Sequence, residues 1–343
     1  MQNKGLIGLL AVTLLAVIAA VMVSRGGSGM PGDPLAGTRV LPDVHERLDT
    51  VARIAFIHGD ARATLVRAGD QWSVEEKGGY PANAVKVHQT LLGLGELAFV
   101  EPKTRKPDLY PRLELDDPDK AGAKSTLVTV SDDKGTLLGE IIAGKRKDDA
   151  LGGGNDGIYV RKVGDAQSWL ARGTLEIAGD PAAWLDTKLF DVPADQIKAV
   201  TLTAADGGKL AFLRAKAGDA FALTAPPPAG KKLKSDSALN DPAGALGGLE
   251  LSDVRPAKDV DIPKDGVAQA RFEAFDGLVV TVTLFKRDGA DWARIDASGT
   301  GDGEKRAAAL EPKLQPWLFG LSTYKTKLLQ TKLDDVLETP KGS

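Results

Sequence analysis

Side chains able to do chemistry are few and scattered in this sequence. The 343-residue chain has three histidines, His45, His58 and His88, and no cysteine. His45 sits in a polar leader, His58 ends an alternating segment and His88 falls on a predicted helix. None is paired at i, i+4 and no H-E-x-x-H occurs, so no zincin site is offered. Without thiols there is no disulfide framework, thiolate metal site, cysteine nucleophile or acylated lipoprotein anchor. A G-x-S-x-G elbow is missing, and so is a Walker A sequence, which removes P-loop nucleotide hydrolysis. Gly152-Gly153-Gly154-Asn155-Asp156-Gly157 formally matches G-x-G-x-x-G. That fingerprint binds dinucleotides only between a strand and a helix. Here Ile158-Tyr159-Val160, a strand, follows, so the run reads as a hairpin loop. Asp116-Asp117-Pro118-Asp119 and Asp132-Asp133 lack EF-hand spacing and suit turns, where Asp and Pro satisfy local geometry. The residues predict a protein that is not an enzyme and that has no catalytic, cofactor-binding or metal-binding site.

Composition narrows the class further. Apolar residues make up 43% and charged residues 27%, a globular balance. A formal net charge of -3 gives no concentrated basic surface, so no nucleic-acid partner is expected. Lys231-Lys232-Leu233-Lys234 reads as a solvated loop. The nine Phe, five Trp and four Tyr are dispersed, with no clustered platform for sugars.

Gly5–Val23, GLIGLLAVTLLAVIAAVMV, carries no charge. As a helix it would be on the order of 28 Å long, close to the hydrocarbon thickness of a bilayer. A cleaved signal peptide would have a shorter apolar core and a small-x-small site, which Val21-Met22-Val23 does not provide. An uncleaved, single-pass anchor is expected, and residues 24–37, rich in Gly and Pro, form its flexible stalk. The short head favours a cytoplasmic N-terminus and a body on the far side of the membrane.

Elements repeat along the body. Val51–Ile57, Ala63–Arg67 and Gln71–Glu75 alternate as strands, and a helix fits Asn83 to Gly93 with Val85, His88, Leu91 and Leu92 on one face. Glu96–Val100 then runs into Glu101-Pro102. Ile197–Thr203, Leu210–Arg214 and Ala220–Thr224 restate the pattern, with a weaker helix near Ser235–Leu246 and a strand leading into Arg255-Pro256. Hairpins follow in both halves, Ser125–Ala143 with Gly157–Arg161, and Ala270–Phe285 with Trp292–Ile295. Trp184-Leu185 and Trp317-Leu318 close the halves, and an amphipathic helix is expected over Tyr324–Leu337. The fold class read from this is α+β: an N-terminal transmembrane helix, then two similar units of mostly antiparallel sheet with packed helices. The divisions are 1–37 for anchor and stalk, 38–192 for the first unit and 193–343 for the second.

Trp72-Ser-Val-Glu-Glu-Lys-Gly-Gly-Tyr-Pro81, Leu91–Leu97, Val100–Thr104, Gly157–Arg161 and Gln167–Ala171 together resemble the domain of unknown function 4340 family. The resemblance implies an auxiliary protein of gliding-motility-type ABC transporters, held in the bacterial inner membrane with a periplasmic body. An ABC permease or a second auxiliary subunit would be its partner, and Gly5–Val23 would contact the bilayer. It implies no catalytic residues. The leading functional expectation is a non-enzymatic accessory subunit acting by protein–protein interaction. The alternatives are an extracytoplasmic lipid- or polysaccharide-binding module, and an envelope hydrolase using a dispersed carboxylate pair.

Overall fold

A computed structural model describes residues 33–263 and 265–338. The expected anchor, Gly5–Val23, lies outside the described residues. Among the described residues no helix is long and apolar enough to cross a membrane.

The body is α+β, built on two nine-stranded sheets in which every pairing is antiparallel. The first holds β1 (Val51–His58), β2 (Ala61–Ala68), β3 (Gln71–Val74), β4 (Tyr80–Pro81), β5 (Ala98–Pro102), β6 (Thr126–Asp132), β7 (Leu137–Lys147), β8 (Gly157–Lys162) and β9 (Ser168–Arg172). The second holds β10 (Lys188–Phe190), β11 (Ile197–Thr203), β12 (Lys209–Leu213), β13 (Ala222–Leu223), β14 (Leu249–Pro256), β15 (Ala268–Ala274), β16 (Leu278–Arg287), β17 (Ala290–Gly299) and β18 (Trp317–Leu321). Strict alternation drives these strands: β6 buries every second residue of TLVTVSD, as a half-buried strand must.

Strand order reveals the duplication. Eight strands of the first sheet run β3-β2-β1-β6-β7-β8-β9-β5, and eight of the second run β13-β12-β11-β15-β16-β17-β18-β14. The same irregularity recurs where each unit begins its sheet, between Val51 and Arg53 and between Ile197 and Ala199. Pro102 faces Trp169, and Pro256 faces Trp317, at matching ends of matching strands. Register therefore corrects the expected Trp-Leu correspondence. The counterpart of Trp317-Leu318 is Trp169-Leu170 in β9, because both pairs stand opposite a charged residue and proline.

Trp184-Leu185 has a different counterpart. Leu185 bridges Ala82, with Asn83 N–H donating to the Trp184 carbonyl (2.8 Å) and Asp186 N–H to that of Pro81 (3.0 Å). Leu337 bridges Leu233 in the same pattern, Lys234 N–H to Val336 O (2.9 Å) and Glu338 N–H to Lys232 O (2.8 Å). Each unit thus closes on a buried leucine followed by an acid. Each also opens on a short segment along the outer edge of its last-ordered strand: Arg39 bridges Ala98 of β5, and Lys188 pairs with Glu250 of β14. Lys188–Phe190, which precedes the expected division at 192/193, is hydrogen-bonded into the second sheet.

Helices differ more between the units. Helix α1 (Ala84–Glu96) starts at Asn83, whose side chain accepts from Lys86 N–H at 3.0 Å. Its buried face is Val87, Thr90 and Leu94; of the expected face Leu91 packs against the core, while Val85 and Leu92 are 68% and 45% exposed. Glycines flank that face on either side. A Cβ on Gly93 would meet the Thr174 carbonyl at 2.7 Å, and one on Gly95 would meet Leu48 at 3.1 Å. In the second unit the expected helix over Ser235–Leu246 shrinks to one turn, Asn240–Ala243, followed by a 3-10 turn, with Pro242 inside it. That unit gains α2 (Asp302–Leu314) across β16 and β17. The expected Tyr324–Leu337 helix is broken into α3 (Thr323–Leu329) and Leu333–Val336, and Tyr324 points to solvent. Val336 and Leu337 are buried and Leu328 packs on the core, as the sequence predicts, with Thr326 and Leu329 buried beside them, so the segment packs on its own unit.

Candidate functional site

Residues singled out for chemistry serve the fold. His45 and His58 approach the Gly95 carbonyl (3.1 Å) and the Thr126 hydroxyl (3.3 Å), and His88 lies on the exposed side of α1. The glycine run forms the β7–β8 loop, as its sequence predicts; Gly152, Gly153 and Gly154 all have positive φ. Asp132 accepts from the N–H groups of Lys134 (3.0 Å) and Thr136 (2.8 Å) in its turn. Asp117 pairs with Arg161, which lies 4.6 Å over the Tyr110 ring, and Asp116 pairs with Lys120 at 2.5 Å. Among the described residues no group of three or more His, Asp or Glu side chains is placed to hold a metal ion. A surface hollow of about 680 Å³ is lined by Lys198, Arg271, Glu273 and the Asp276-Gly277 turn.

Asp276 in that turn anchors α2. Burial pushes its carboxyl up, but Arg306 at 2.6 Å and the Leu278 N–H at 3.0 Å outweigh burial and hold it below the usual carboxylate range. A carboxylate depressed in the folded state adds stability above the unfolded value, about pH 4, and that contribution is lost as pH falls through the folded value. Asp276→Asn should therefore narrow the loss of stability between neutral and strongly acidic pH. Denaturant midpoints for both proteins at the two pH values test this, and equal losses would remove Asp276 from the acid response.

The most constructed feature is the joint between units. After β3, Glu75–Lys77 makes one 3-10 turn, Gly78 (φ 68°) and Gly79 (φ 83°) reverse the chain, and Tyr80-Pro81 forms β4. Tyr80 is 6% exposed and meets Trp317 edge-on, with ring centroids 5.0 Å apart; Phe319 lies beyond at 6.5 Å. Lys77 reaches Asp253 at 2.5 Å. Gly78 lies so close to Pro256 that a Cβ there would fall 2.5 Å from the ring. Burial, with Asp186 nearby, pushes the Tyr80 hydroxyl well above its ordinary value, so it stays neutral. One continuous cluster of buried apolar side chains runs through both sheets. Sequence reading marked the Trp72–Pro81 run as a pattern but not as a joint, because its partners lie far along the chain.

Sheet edges suited to strand addition are mostly occupied by the chain itself. Residues 37–40 cover β5, β10 covers β14, and β4 lies in the joint. Among the described strands the second sheet ends in two short strands, three-residue β10 on one side and two-residue β13 on the other.

No curated protein matches the chain, and no solved structure does. A family profile described as Domain of unknown function (DUF4340) matches residues 72–270, from β3 of the first unit into β15 of the second. The match contains the whole of the Glu75–Pro81 turn and its partner strand β14. The chain belongs to that domain-of-unknown-function family.

Proposed function

We propose that the chain is a non-enzymatic accessory subunit of an ABC transporter or another envelope complex. In this reading Gly5–Val23 tethers it to the bacterial inner membrane, the body lies in the periplasm, and the body acts by holding a protein partner. One observation carries most weight: the family run Glu75–Pro81 builds the joint that locks two repeated units into one core. Residues spent on fixing two sheets relative to each other suit a rigid platform better than a reaction chamber. The polar, open character of the hollow at the Asp276-Gly277 turn agrees with this.

The test is purification of the full-length chain from mildly crosslinked, detergent-solubilised native membranes. Reproducible recovery of an ABC permease and its ATPase is the expected result. Recovery without either would overturn the transporter assignment. Loss on deletion of residues 1–37 would place the contact in the membrane segment, and retention would place it in the body.

A further inference from the structure

Exposed apolar side chains of α1 lie near the point where the chain enters the body. Val85, Leu92 and Glu96 fall within about 40° of one another around α1, since seven and eleven residues are near-whole numbers of helical turns. Val85 and Leu92 are exposed on this stripe, and Leu92 and Glu96 line an open groove of about 580 Å³ with Gln89, Arg146 and Glu176. At the stripe's end Arg39 binds both the Glu96 carboxylate (2.7 Å) and its carbonyl (2.6 Å). Leu35, 42% exposed, stands one turn before Arg39. The chain therefore enters the body at the end of an uncovered apolar stripe.

We infer that this face, Leu35 with Val85 and Leu92 of α1, lies against the bilayer surface. The inference rests on the proposed Gly5–Val23 anchor. Residues 24–32 span at most roughly 30 Å when fully extended, so the entry point cannot stray far from the membrane. Apolar side chains on a tethered face gain by entering the boundary between headgroups and acyl chains. Lys145, Arg146 and Lys147 are exposed at the end of β7 beside the groove, and among the described residues the two lysines make no ion pair. Of the three only Arg146 lines the groove, where it faces Glu176 at 3.8 Å beside Glu96, so the attraction of this face to the bilayer is apolar rather than electrostatic.

The chain has no cysteine, so single labels can be placed without removing any. Val85→Cys and Leu92→Cys would carry a fluorophore on the face, and Leu213→Cys and Tyr324→Cys, both exposed in the second unit, would serve as references. Each full-length variant is reconstituted in mixed phosphatidylethanolamine–phosphatidylglycerol vesicles containing nitroxide-labelled lipid. Quenching at the two α1 sites should exceed that at the references by about twofold or more, because interfacial apolar faces sit ~5–10 Å into the boundary. Floating with equal, weak quenching at all four sites would overturn the inference and leave the anchor standing. A chain that does not float with the vesicles would overturn both. Protection of Leu92→Cys in native membranes without lipid quenching would give the face to a protein partner and also overturn it.

Discussion

Replacing Trp184 by alanine should lower the unfolding free energy by about 3–5 kcal/mol, the range for removing a large buried aromatic. Trp184 is fully buried and stacks on Phe56 with centroids 4.6 Å apart. Its indole N–H donates to the Ala178 carbonyl at 2.8 Å, and Lys86 lies 4.8 Å over the ring. Phe56 is in β1 at the centre of the first sheet, and Trp184 is in the segment that closes the unit on Ala82. Truncation would leave a cavity where the closing segment meets the sheet, and neighbouring strands cannot collapse into it without breaking register. Trp184→Phe keeps the stacking and gives up the hydrogen bond, so it should cost much less. Denaturant titration followed by circular dichroism measures both. A loss below about 1 kcal/mol for Trp184→Ala would mean that the closing segment is not part of the cooperative core.

Alternation made most strands legible, because a half-buried strand writes its burial directly into the sequence as a period of two. The duplication was legible for the same reason, since both units repeat the same series of strands and turns. Its register was not. Trp184-Leu185 and Trp317-Leu318 look alike as letters, but one closes a unit and the other opens β18. The true equivalents, Trp184-Leu185-Asp186 with Val336-Leu337-Glu338, share a backbone pattern while exchanging tryptophan for valine. Helix α1 misled differently. Its apolar count favoured Val85 and Leu92, whereas the packed side is that of Val87, Thr90 and Leu94, flanked by Gly93 and Gly95, where a missing side chain admits a neighbouring segment on each flank. The C-terminal helix divides near Gln330, where three carbonyls of the last turn converge on its N–H.

The crossover segments show what duplication preserves. Residues 103–125 link β5 to β6, and residues 257–267 link β14 to β15. Each lays apolar side chains on the sheet face opposite the main core. Tyr110 and Leu115 cluster with Ile142, and Val260 and Ile262 pack against Phe285 and Trp292. Ladder register sets Ile142 against Thr283, two residues before Phe285 on the same sheet face. An arginine lies over an aromatic ring in both, Arg161 on Tyr110 and Arg255 on Trp292 at 4.4 Å. These are long-range pairings between residues of unlike type, which no local pattern announces. The joint is hidden for the same reason: Lys77 and Asp253 are 176 positions apart.

Gly78→Ala should destabilise the protein by about 2–5 kcal/mol and loosen the two units from each other. Two costs add. Alanine at φ 68° carries a left-handed penalty of about 1–2 kcal/mol. Its Cβ would also lie 2.5 Å from Pro256 Cγ and 3.5 Å from the Trp317 ring, and overpacking of this kind costs about 1–3 kcal/mol. Gly79→Ala separates the two, because Gly79 has φ 83° but nothing within 4 Å of the added carbon. It should show the conformational penalty alone. Relief of the Gly78→Ala clash requires Pro256 and β14 to retreat from Tyr80, which weakens the edge-on contact with Trp317 and lengthens Lys77–Asp253. Hydrogen exchange should then speed up in β14 and β18 for Gly78→Ala and stay near wild type for Gly79→Ala. Equal stability losses with unchanged exchange would mean that the turn holds only its own conformation. If the body serves as a rigid platform, Gly78→Ala should also reduce recovery of the partner from native membranes more than Gly79→Ala does, although neither change touches a surface outside the joint.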